Sequence, residues 1–221
     1  MPDRRMIGVY GGTFDPIHYG HLRTALEVSE SLGLDEMRWV PCGQPPHRRQ
    51  PQASASDRLH MLELAFGEAP AGFVIDRREL EREGPSYMVD TLTSMRSQWP
   101  DVSLCLVLGQ DAFLGLNTWH RWRDLLRLAH VVVMRRPGAL PMVPDGELAS
   151  LVSEQGRDEV AALRCETAGC VHFVEVTQLS ISATRIRELL YAGRRPDYLL
   201  PAAVVTYVRE RGLYRQPGTA P

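Results

Sequence analysis

The chain lacks a long apolar run, a cysteine framework and a strong net charge. No segment approaches the roughly 20 consecutive apolar residues that a membrane-spanning helix needs. The apolar run after Arg4 and Arg5 covers only residues 6–10, which is too short for the core of a signal peptide. We therefore expect a cytoplasmic protein without a membrane partner.

Four cysteines in 221 residues are too few for a disulfide framework. Cys165 and Cys170 have a loose spacing for zinc and no second pair supports them, so two free thiols are the favoured interpretation. The formal net charge of −2 disfavours a nucleic-acid partner, because such proteins neutralise phosphates with a basic surface. A local basic pocket for a small phosphorylated substrate is compatible with that charge.

Short apolar runs alternate along the chain with segments of helical periodicity. The pattern predicts strands near 5–10, 37–40, 73–75, 104–108, 131–134 and 171–176. It predicts helices near 22–32, 59–66, 87–98, 120–128, 182–192 and 202–211, and one helix within the least legible region, 139–170. This alternation predicts a Rossmann-like α/β fold, in which a doubly wound parallel sheet has helices on both faces and a small C-terminal helical part follows.

We expect residues 1–221 to form a single domain, with an α/β core over 1–178 and a C-terminal helical part over 179–215. Ligands of such sheets bind beyond the carboxyl ends of the strands. The unusual residue clusters all follow predicted strand ends, after Tyr10, Val40, Leu108, Met134 and Val176. One pocket can therefore collect them.

The first predicted strand leads into residues 11–21, Gly-Gly-Thr-Phe-Asp-Pro-Ile-His-Tyr-Gly-His. This string is not G-x-G-x-x-G, so the dinucleotide fingerprint of dehydrogenases is absent. Adjacent glycines in a loop allow backbone N–H groups to approach a polyphosphate. His18 and His21 are three residues apart at the start of a helix, where both rings can face one way and the helix dipole is positive. The string therefore favours binding of an anion.

Each of these features has a simpler interpretation when it is taken alone. Gly-Gly after a strand is often only a turn, and H-x-x-H can be a metal pair or two surface residues. Metal ligation needs a third protein ligand, and the pattern offers none nearby. Near the other end of the chain, residues 181–187 read Ile-Ser-Ala-Thr-Arg-Ile-Arg and place Ser182 at a helix N-cap. Alone, that string predicts a cap; beside the first string, it predicts a phosphate contact.

Taken together, the two strings resemble the adenylyltransferase group of the nucleotidylyl transferase superfamily. Residues 11–21 match the G-G-x-F-D-P-x-H-x-G-H signature of that group, and residues 181–187 match its I-S-[SA]-T-x-I-R element. Further strings are similar to the bacterial nicotinate-nucleotide adenylyltransferases in particular, at residues 45–48, 85–92, 109–111, 118–119 and 212–214. The resemblance covers residues 7–215 and is weakest over 139–170.

The resemblance implies a single nucleotidyltransferase domain that makes nicotinic acid adenine dinucleotide and pyrophosphate from ATP and nicotinate mononucleotide, in NAD biosynthesis. His18 and His21 would be catalytic. The implied ATP site consists of Gly11, Gly12, Thr13, Phe14, His18, His21, Gly109, Asp111, Ile181, Ser182, Thr184 and Arg185. No metal would have its own protein site; Mg²⁺ would be held mainly by the ATP phosphates, with Asp111 as a further candidate ligand.

The implied nicotinate mononucleotide site consists of His47, Arg48, Ser86, Tyr87, Met88, Trp119, His120 and Arg136. Trp119 would stack on the pyridine ring, and Arg136 would meet the phosphate. Without the resemblance, core packing and a solvated charge are the alternatives for these two residues. His47 and Arg48 lie on the proline-rich, basic loop 41–52, which would close over this substrate.

The chain departs from the family pattern at Met88, where the family often has a threonine that binds the nicotinate carboxylate. A thioether is a poor acceptor and no donor, so we expect backbone N–H groups near Trp119 and His120 to bind the carboxylate. A dual-specific enzyme that also accepts nicotinamide mononucleotide is therefore an alternative. Adenylyltransferases for phosphopantetheine or flavin mononucleotide and a catalytically silent ATP sensor are others. A dehydrogenase is remote because its fingerprint is absent.

Overall fold

The computed structural model describes residues 4–45, 50–67, 69–138 and 144–215. Its strands are β1 (Met6–Gly12), β2 (Glu36–Pro41), β3 (Phe73–Ile75), β4 (Ser103–Gly109), β5 (His130–Arg135) and β6 (Val171–Glu175). They form one sheet in the order β3-β2-β1-β4-β5-β6, and every pairing is parallel. The predicted Rossmann-like α/β fold is thereby confirmed.

The helices alternate with these strands and then continue beyond the sheet. They are α1 (Tyr19–Leu32), α2 (Ala55–Ala65), α3 (Arg78–Glu81), α4 (Met88–Gln98), α5 (Gln110–Leu114), α6 (Trp122–Leu128), α7 (Gly146–Gln155), α8 (Val160–Cys165), α9 (Ala183–Tyr191) and α10 (Ala202–Glu210). A short 3₁₀ helix, Leu116–Thr118, lies between α5 and α6. None of the helices in the described ranges is both long and apolar enough to cross a bilayer.

Side chains of successive strand residues point to opposite faces of the sheet, and each face has its own core. In β4, Cys105 and Val107 belong to the core that includes residues of α1, α9 and α10. Leu104 and Leu106 belong to the core that includes residues of α4, α6 and α7. The strands are therefore buried on both sides, which explains why they are short, continuous apolar runs in the sequence.

The order of the strands reverses between β1 and β4, since β2 follows β1 on one side and β4 pairs with it on the other. A crevice opens at the carboxyl ends of the strands at such a point, and ligands of doubly wound sheets bind there. The string 11–21 begins at this end of the sheet with the last residues of β1, and the string 181–187 follows β6.

The prediction of one helix within residues 139–170 was wrong. The described part of this region contains two helices, α7 and α8. Each helix contributes a single buried residue, Leu148 in α7 and Leu163 in α8, so the periodic apolar signal is weak.

The division of the chain at residue 178 stays a prediction. Ile186 of α9 and Val204 of α10 share a core with α1.

At the opposite, amino end of the sheet, one arginine joins the segments that lead into three strands. The Arg96 guanidinium donates hydrogen bonds to the backbone carbonyls of Trp99, Pro100, Val102, Leu128 and Thr167. Burial lowers the pKa of Arg96, yet the group stays protonated because an arginine pKa lies far above neutrality. Its planar fork of donors suits this arrangement better than a single ammonium group does.

We expect Arg96→Lys to lower the free energy of unfolding by about 2 kcal/mol, because several carbonyls lose a charged donor at once. Urea denaturation followed by circular dichroism measures the change. The control is Arg123→Lys, since Arg123 forms an exposed pair with Glu147 that we expect to contribute less than about 0.5 kcal/mol. Equal stability of the Arg96 and Arg123 variants would contradict the role given to Arg96.

Candidate active site

The string that follows β1 differs from its prediction in one respect. Gly11 and Gly12 are the last two residues of β1 and not part of a loop. Neither has a positive φ, so the need for glycine is a matter of space. A Cβ added to Gly11 would lie 2.6 Å from Cε of Met88. The end of β1 is thus in close contact with the start of α4.

The turn after β1 is organised by the buried carboxylate of Asp15. Its oxygens accept hydrogen bonds from the backbone N–H groups of Gln52 (2.8 Å) and Ala53 (3.1 Å) and from the Tyr214 hydroxyl (2.6 Å). The backbone carbonyl of Asp15 accepts from Nη1 of Arg187 at 2.6 Å. Asp15 therefore connects the first string with the end of the 41–52 loop, with α9 and with the C-terminal segment.

A second buried charge, Arg58 of α2, supports the same turn from behind. Its Nη1 donates to the carbonyl of Thr13 at 2.8 Å, and its Nη2 donates to the carbonyl of Gly43 at 3.3 Å. Only 1% of the residue is exposed, and burial lowers the pKa of its guanidinium, against the opposing effects of nearby groups that include Asp15. Phe14, which follows Thr13, is also buried and has a positive φ of 50°.

The two histidines face the same way, as the sequence predicts. His18 is the N-cap residue of α1, and its ring stacks on that of His21 with 3.7 Å between centroids and 26° between planes. Burial lowers the pKa of His18 to about 4. Burial, and after it the charge of His18, lowers the pKa of His21 well below its usual value. Both rings are therefore neutral at neutral pH in the free protein.

The buried edges of these two rings have no partner. Within the described part of the chain, Nδ1 of His18 and Nδ1 of His21 are shielded from solvent and form no hydrogen bond. Nε2 of either ring is not among these shielded, unpaired atoms, so it is the nitrogen left to meet a ligand. Two stacked imidazoles repel each other when both are protonated, and a nearby anion offsets that repulsion. The pair is thus suited to a strongly anionic ligand.

The second string lies beside the first. Ser182 is the N-cap of α9, and its hydroxyl accepts from the backbone N–H of Arg185 at 3.2 Å, which confirms the predicted cap. A Cβ added to Gly20 would lie 2.9 Å from Nδ1 of His18 and 3.4 Å from the carbonyl oxygen of Ile181. The N-termini of α1 and α9 therefore converge, although their residues are far apart in the sequence.

The other residues of this string have partners of their own. Oγ1 of Thr184 accepts from the guanidinium of Arg187 at 3.1 Å, and Nη1 of Arg185 pairs with Glu188 at 3.1 Å. Gly109 ends β4, the strand that pairs with β1, and the exposed Asp111 lies in the first turn of α5, which follows it directly.

The residues predicted for the mononucleotide side come from three elements. Ser86, Tyr87 and Met88 lie at the start of α4, and the Tyr87 ring is 4.3 Å from that of His120, centroid to centroid. Trp119 is partly buried and packs against the core on this face of the sheet. Arg136 follows β5. Its Nε donates to Oε1 of Gln178 at 2.9 Å, a partner that the sequence did not predict.

His47 and Arg48 lie outside the described residues. The backbone N–H of Trp119 donates to the Leu116 carbonyl at 3.0 Å and closes the 3₁₀ turn, so it is not available to a carboxylate, while a contact from the N–H of His120 stays a prediction. In the described ranges, no protein acceptor is found for the N–H groups of Met88 and Val89. The first turn of α4 offers these donors instead.

The sequence did not identify some of the residues that shape the site, namely Asp15, Arg58, Glu79, Gln178 and Tyr214. Asp15 and Tyr214 fall within matched strings, so a signal existed for them. Arg58 and Glu79 are charged residues in segments with no motif, and a buried charge cannot be told from a solvated one by sequence pattern alone.

The family comparisons agree with this geometry. The sequence model of the cytidylyltransferase-like family matches residues 9–189. A Methylococcus capsulatus protein named a probable nicotinate-nucleotide adenylyltransferase is 52% identical over 209 residues, 95% of this chain and 99% of that protein. A protein of the same name from Aeromonas salmonicida is 47% identical over 95% of this chain and 97% of its own length.

Among solved structures, the fold resembles Plasmodium falciparum nicotinic acid mononucleotide adenylyltransferase complexed with NaAD. The TM-score is 0.71 over 95% of this chain and 97% of that one, at 16% identity, which speaks for the fold alone. The family rests on the sequence relatives, which match almost end to end. This chain belongs to the cytidylyltransferase-like family and, within it, to the nicotinate-nucleotide adenylyltransferases.

Proposed function

We propose that this chain transfers the adenylyl group of ATP to nicotinate mononucleotide and releases pyrophosphate, forming nicotinic acid adenine dinucleotide in NAD biosynthesis. The observation that carries the proposal is the convergence of the His18–His21 pair and the Ser182 cap at the carboxyl end of β1. The nearly full-length relatives named for this activity support it.

The ATP phosphates would lie where the N-termini of α1 and α9 meet. Nε2–H groups of His18 and His21 would donate to phosphate oxygens, together with the hydroxyls of Ser182 and Thr184 and the backbone at the start of α9. The Arg185 guanidinium would exchange its exposed partner Glu188 for a phosphate. The remaining residues proposed to line the ATP site are Gly11, Gly12, Thr13, Phe14, Gly109, Asp111 and Ile181.

The reaction is an in-line displacement at the α-phosphorus. A 5′-phosphate oxygen of the mononucleotide forms the new P–O bond while the bond to the α,β-bridging oxygen breaks, and pyrophosphate leaves with that electron pair. The attacking phosphate is already an anion at neutral pH, so no strong general base is needed. The protein contributes position and charge neutralisation, which the preorganised histidine pair is suited to supply.

Magnesium fits this site as a companion of ATP. Mg²⁺ in ATP-using enzymes is commonly held by phosphates, waters and one or two carboxylates, and the exposed Asp111 in the first turn of α5 would be one of these. When bound, the ion neutralises charge on the phosphates. Asp111 would orient the hydrated ion, while the two histidines act on the oxygens that the ion leaves free.

The mononucleotide would lie on the side of α4. The indole of Trp119 and the neighbouring rings of Tyr87 and His120 would offer flat faces to a pyridine. The N–H groups of Met88 and Val89 at the positive end of α4 would bind the nicotinate carboxylate, so the Met88 side chain need not take part. Ser86 would hold the start of α4, and Arg136 would meet the 5′-phosphate. His47 and Arg48 stay proposed from the sequence.

We expect pyrophosphate release with nicotinate mononucleotide to exceed release with nicotinamide mononucleotide by at least about a hundredfold in kcat/KM, because the amide leaves the α4 N–H groups without an anionic partner. Met88→Thr should change that ratio by less than about threefold, since we assign carboxylate recognition to the backbone. A coupled pyrophosphate assay with ATP and Mg²⁺ measures both.

Equal use of the two mononucleotides would indicate the dual-specific alternative. No release with either, despite ATP binding, would contradict catalysis and leave the ATP sensor. A large gain in acid preference in the Met88→Thr variant would show that the backbone donors do not suffice.

The histidine pair gives a prediction with two readouts. His18→Asn should lower kcat by at least about a hundredfold, as the loss of a preorganised donor does. The wild type should also take up a proton when ATP binds near pH 6. His18 is neutral in the free protein because its pKa is about 4, and the added phosphates raise that pKa toward its usual 6.5. Calorimetry in buffers of different ionisation enthalpy measures the uptake, which should fall in the variant.

His60→Ala is the matched control, because His60 is half-exposed on α2 and pairs with Glu63. We expect wild-type kcat and wild-type proton uptake from it. A His18→Asn variant that keeps near-normal kcat, or that takes up as many protons as the wild type, would remove His18 from the proposed mechanism.

A further inference from the structure

A short segment after β2 is held in place by one serine hydroxyl. Oγ of Ser86 accepts from the N–H of Gly43 at 3.0 Å and from the N–H of Gln44 at 3.1 Å. The Ser86 N–H in turn donates to the Gln44 carbonyl at 2.9 Å. The Cys42 N–H donates to the carbonyl of Gly12 at 2.9 Å, so the same segment is also tied to the end of β1.

Gly43 fits this arrangement because it has no side chain. A Cβ at this position would lie 2.3 Å from the carbonyl oxygen of Glu79, closer than any real contact of that kind. Its carbonyl accepts from Arg58, as described above, so both polar groups of the residue have partners. The segment is therefore packed directly against the backbone of α3.

The Ser86 hydroxyl needs an acceptor for its own proton. A hydroxyl has one donor and two acceptor positions, and the N–H groups of Gly43 and Gln44 occupy both acceptor positions. The carboxylate of Glu79 accepts from the Thr91 hydroxyl at 2.6 Å, and the Ser86 side chain lies near enough to this carboxylate to lower its pKa. We therefore assign the Ser86 proton to the Glu79 carboxylate.

Glu79 is buried at considerable electrostatic cost. Only 4% of the residue is exposed, and burial raises the pKa of its carboxyl group, while the hydrogen bonds from Thr91 and Ser86 oppose the rise. The cost of burying this carboxylate is offset only by the groups that hydrogen-bond to it, and it fixes the positions of those groups. Those bonds hold the start of α4 and the Gly43–Gln44 segment.

The same residues border the proposed mononucleotide site. Ser86 directly precedes Tyr87 and Met88. The Tyr87 ring packs at a tilt against that of His120, and the Met88 methyl group lies close to Gly11 at the end of β1. A shift of Ser86 would therefore move the α4 N–H donors and the aromatic pair together. The phosphate-binding strings would be affected less, since Asp15, Arg58 and Arg187 hold them.

We propose that Glu79, acting through Ser86, is a positioning residue that sets the affinity for the mononucleotide while leaving ATP binding nearly unchanged. This inference rests on the proposed function for the identity of the substrate. It assigns a role to a buried carboxylate that does not touch the reacting atoms.

The test compares Glu79→Gln, Ser86→Ala and the double variant with the wild type. Glutamine keeps the shape but replaces one acceptor oxygen with a donor, so a single neutral oxygen is left to accept from both Thr91 and Ser86. Each variant should raise KM for nicotinate mononucleotide at least about tenfold and change KM for ATP less than about twofold. The double variant should be no worse than the single ones, because both act on one chain of hydrogen bonds.

Asp76→Asn is the matched control. Asp76 is likewise buried and lies three residues earlier, but its carboxylate pairs with Arg38 and Arg78. We expect it to lower the unfolding temperature with both KM values unchanged. An equal rise in both KM values, additive effects in the double variant, or wild-type KM values in both single variants would overturn the proposal.

Amide hydrogen exchange followed by NMR tests the hydrogen-bond chain without any substrate. The N–H groups of Gly43 and Gln44 should exchange at least about tenfold faster in Glu79→Gln than in Asp76→Asn. Unchanged exchange would refute the role of Glu79 even if the enzyme were active. If the wild type uses another mononucleotide, the proposed function fails. The inference about Glu79 still stands in that case if the variants show faster exchange and a raised KM for that other substrate.

Discussion

The carboxylate of Asp15 is the constraint on which the proposed ATP site depends. Its charge is buried, and three donors from distant parts of the chain converge on it, one of them the hydroxyl of Tyr214. Because a buried carboxylate without donors is costly, folding brings those segments to the turn after β1. The contact of Arg187 with the Asp15 carbonyl then places the Ser182 cap beside the histidine pair. Asp15 and Arg187, 172 positions apart, thus meet in a network that itself need not touch ATP.

Two buried carboxylates, one on each side of the proposed site, hold the surrounding segments in place. Asp15 holds the side where the phosphates of ATP would lie, and Glu79 holds the side proposed for the mononucleotide. Arg58 connects the two sides because it donates to the carbonyls of Thr13 and Gly43. The contact of Met88 with Gly11 joins them a second time, at the end of β1. Both supports use a buried carboxylate whose partners are chiefly backbone groups and hydroxyls. This arrangement fixes position without placing extra charge at the reacting phosphates.

The sequence predicts much of this fold, because the β4 and β5 runs are short and apolar and the helices between strands are amphipathic. It also predicts the histidine pair and the Ser182 cap, which depend on local spacing. It misses the second helix of the region 139–170, where few apolar positions are enclosed. It also misses Arg58 and Glu79 as supports, because their partners are set by tertiary contacts. Gly11 illustrates the difference: its need for glycine is visible, but the neighbouring Met88 methyl is not.

The most direct test of this account is the ATP affinity of Asp15→Asn, measured by isothermal titration calorimetry beside Arg96→Lys. The amide keeps the volume of Asp15 but replaces an acceptor oxygen with a donor, so the two strings lose their alignment. We predict that ATP binding weakens at least about tenfold in Asp15→Asn and is unchanged in Arg96→Lys, which alters only the far end of the sheet. Wild-type ATP affinity in a folded Asp15→Asn protein would contradict the account.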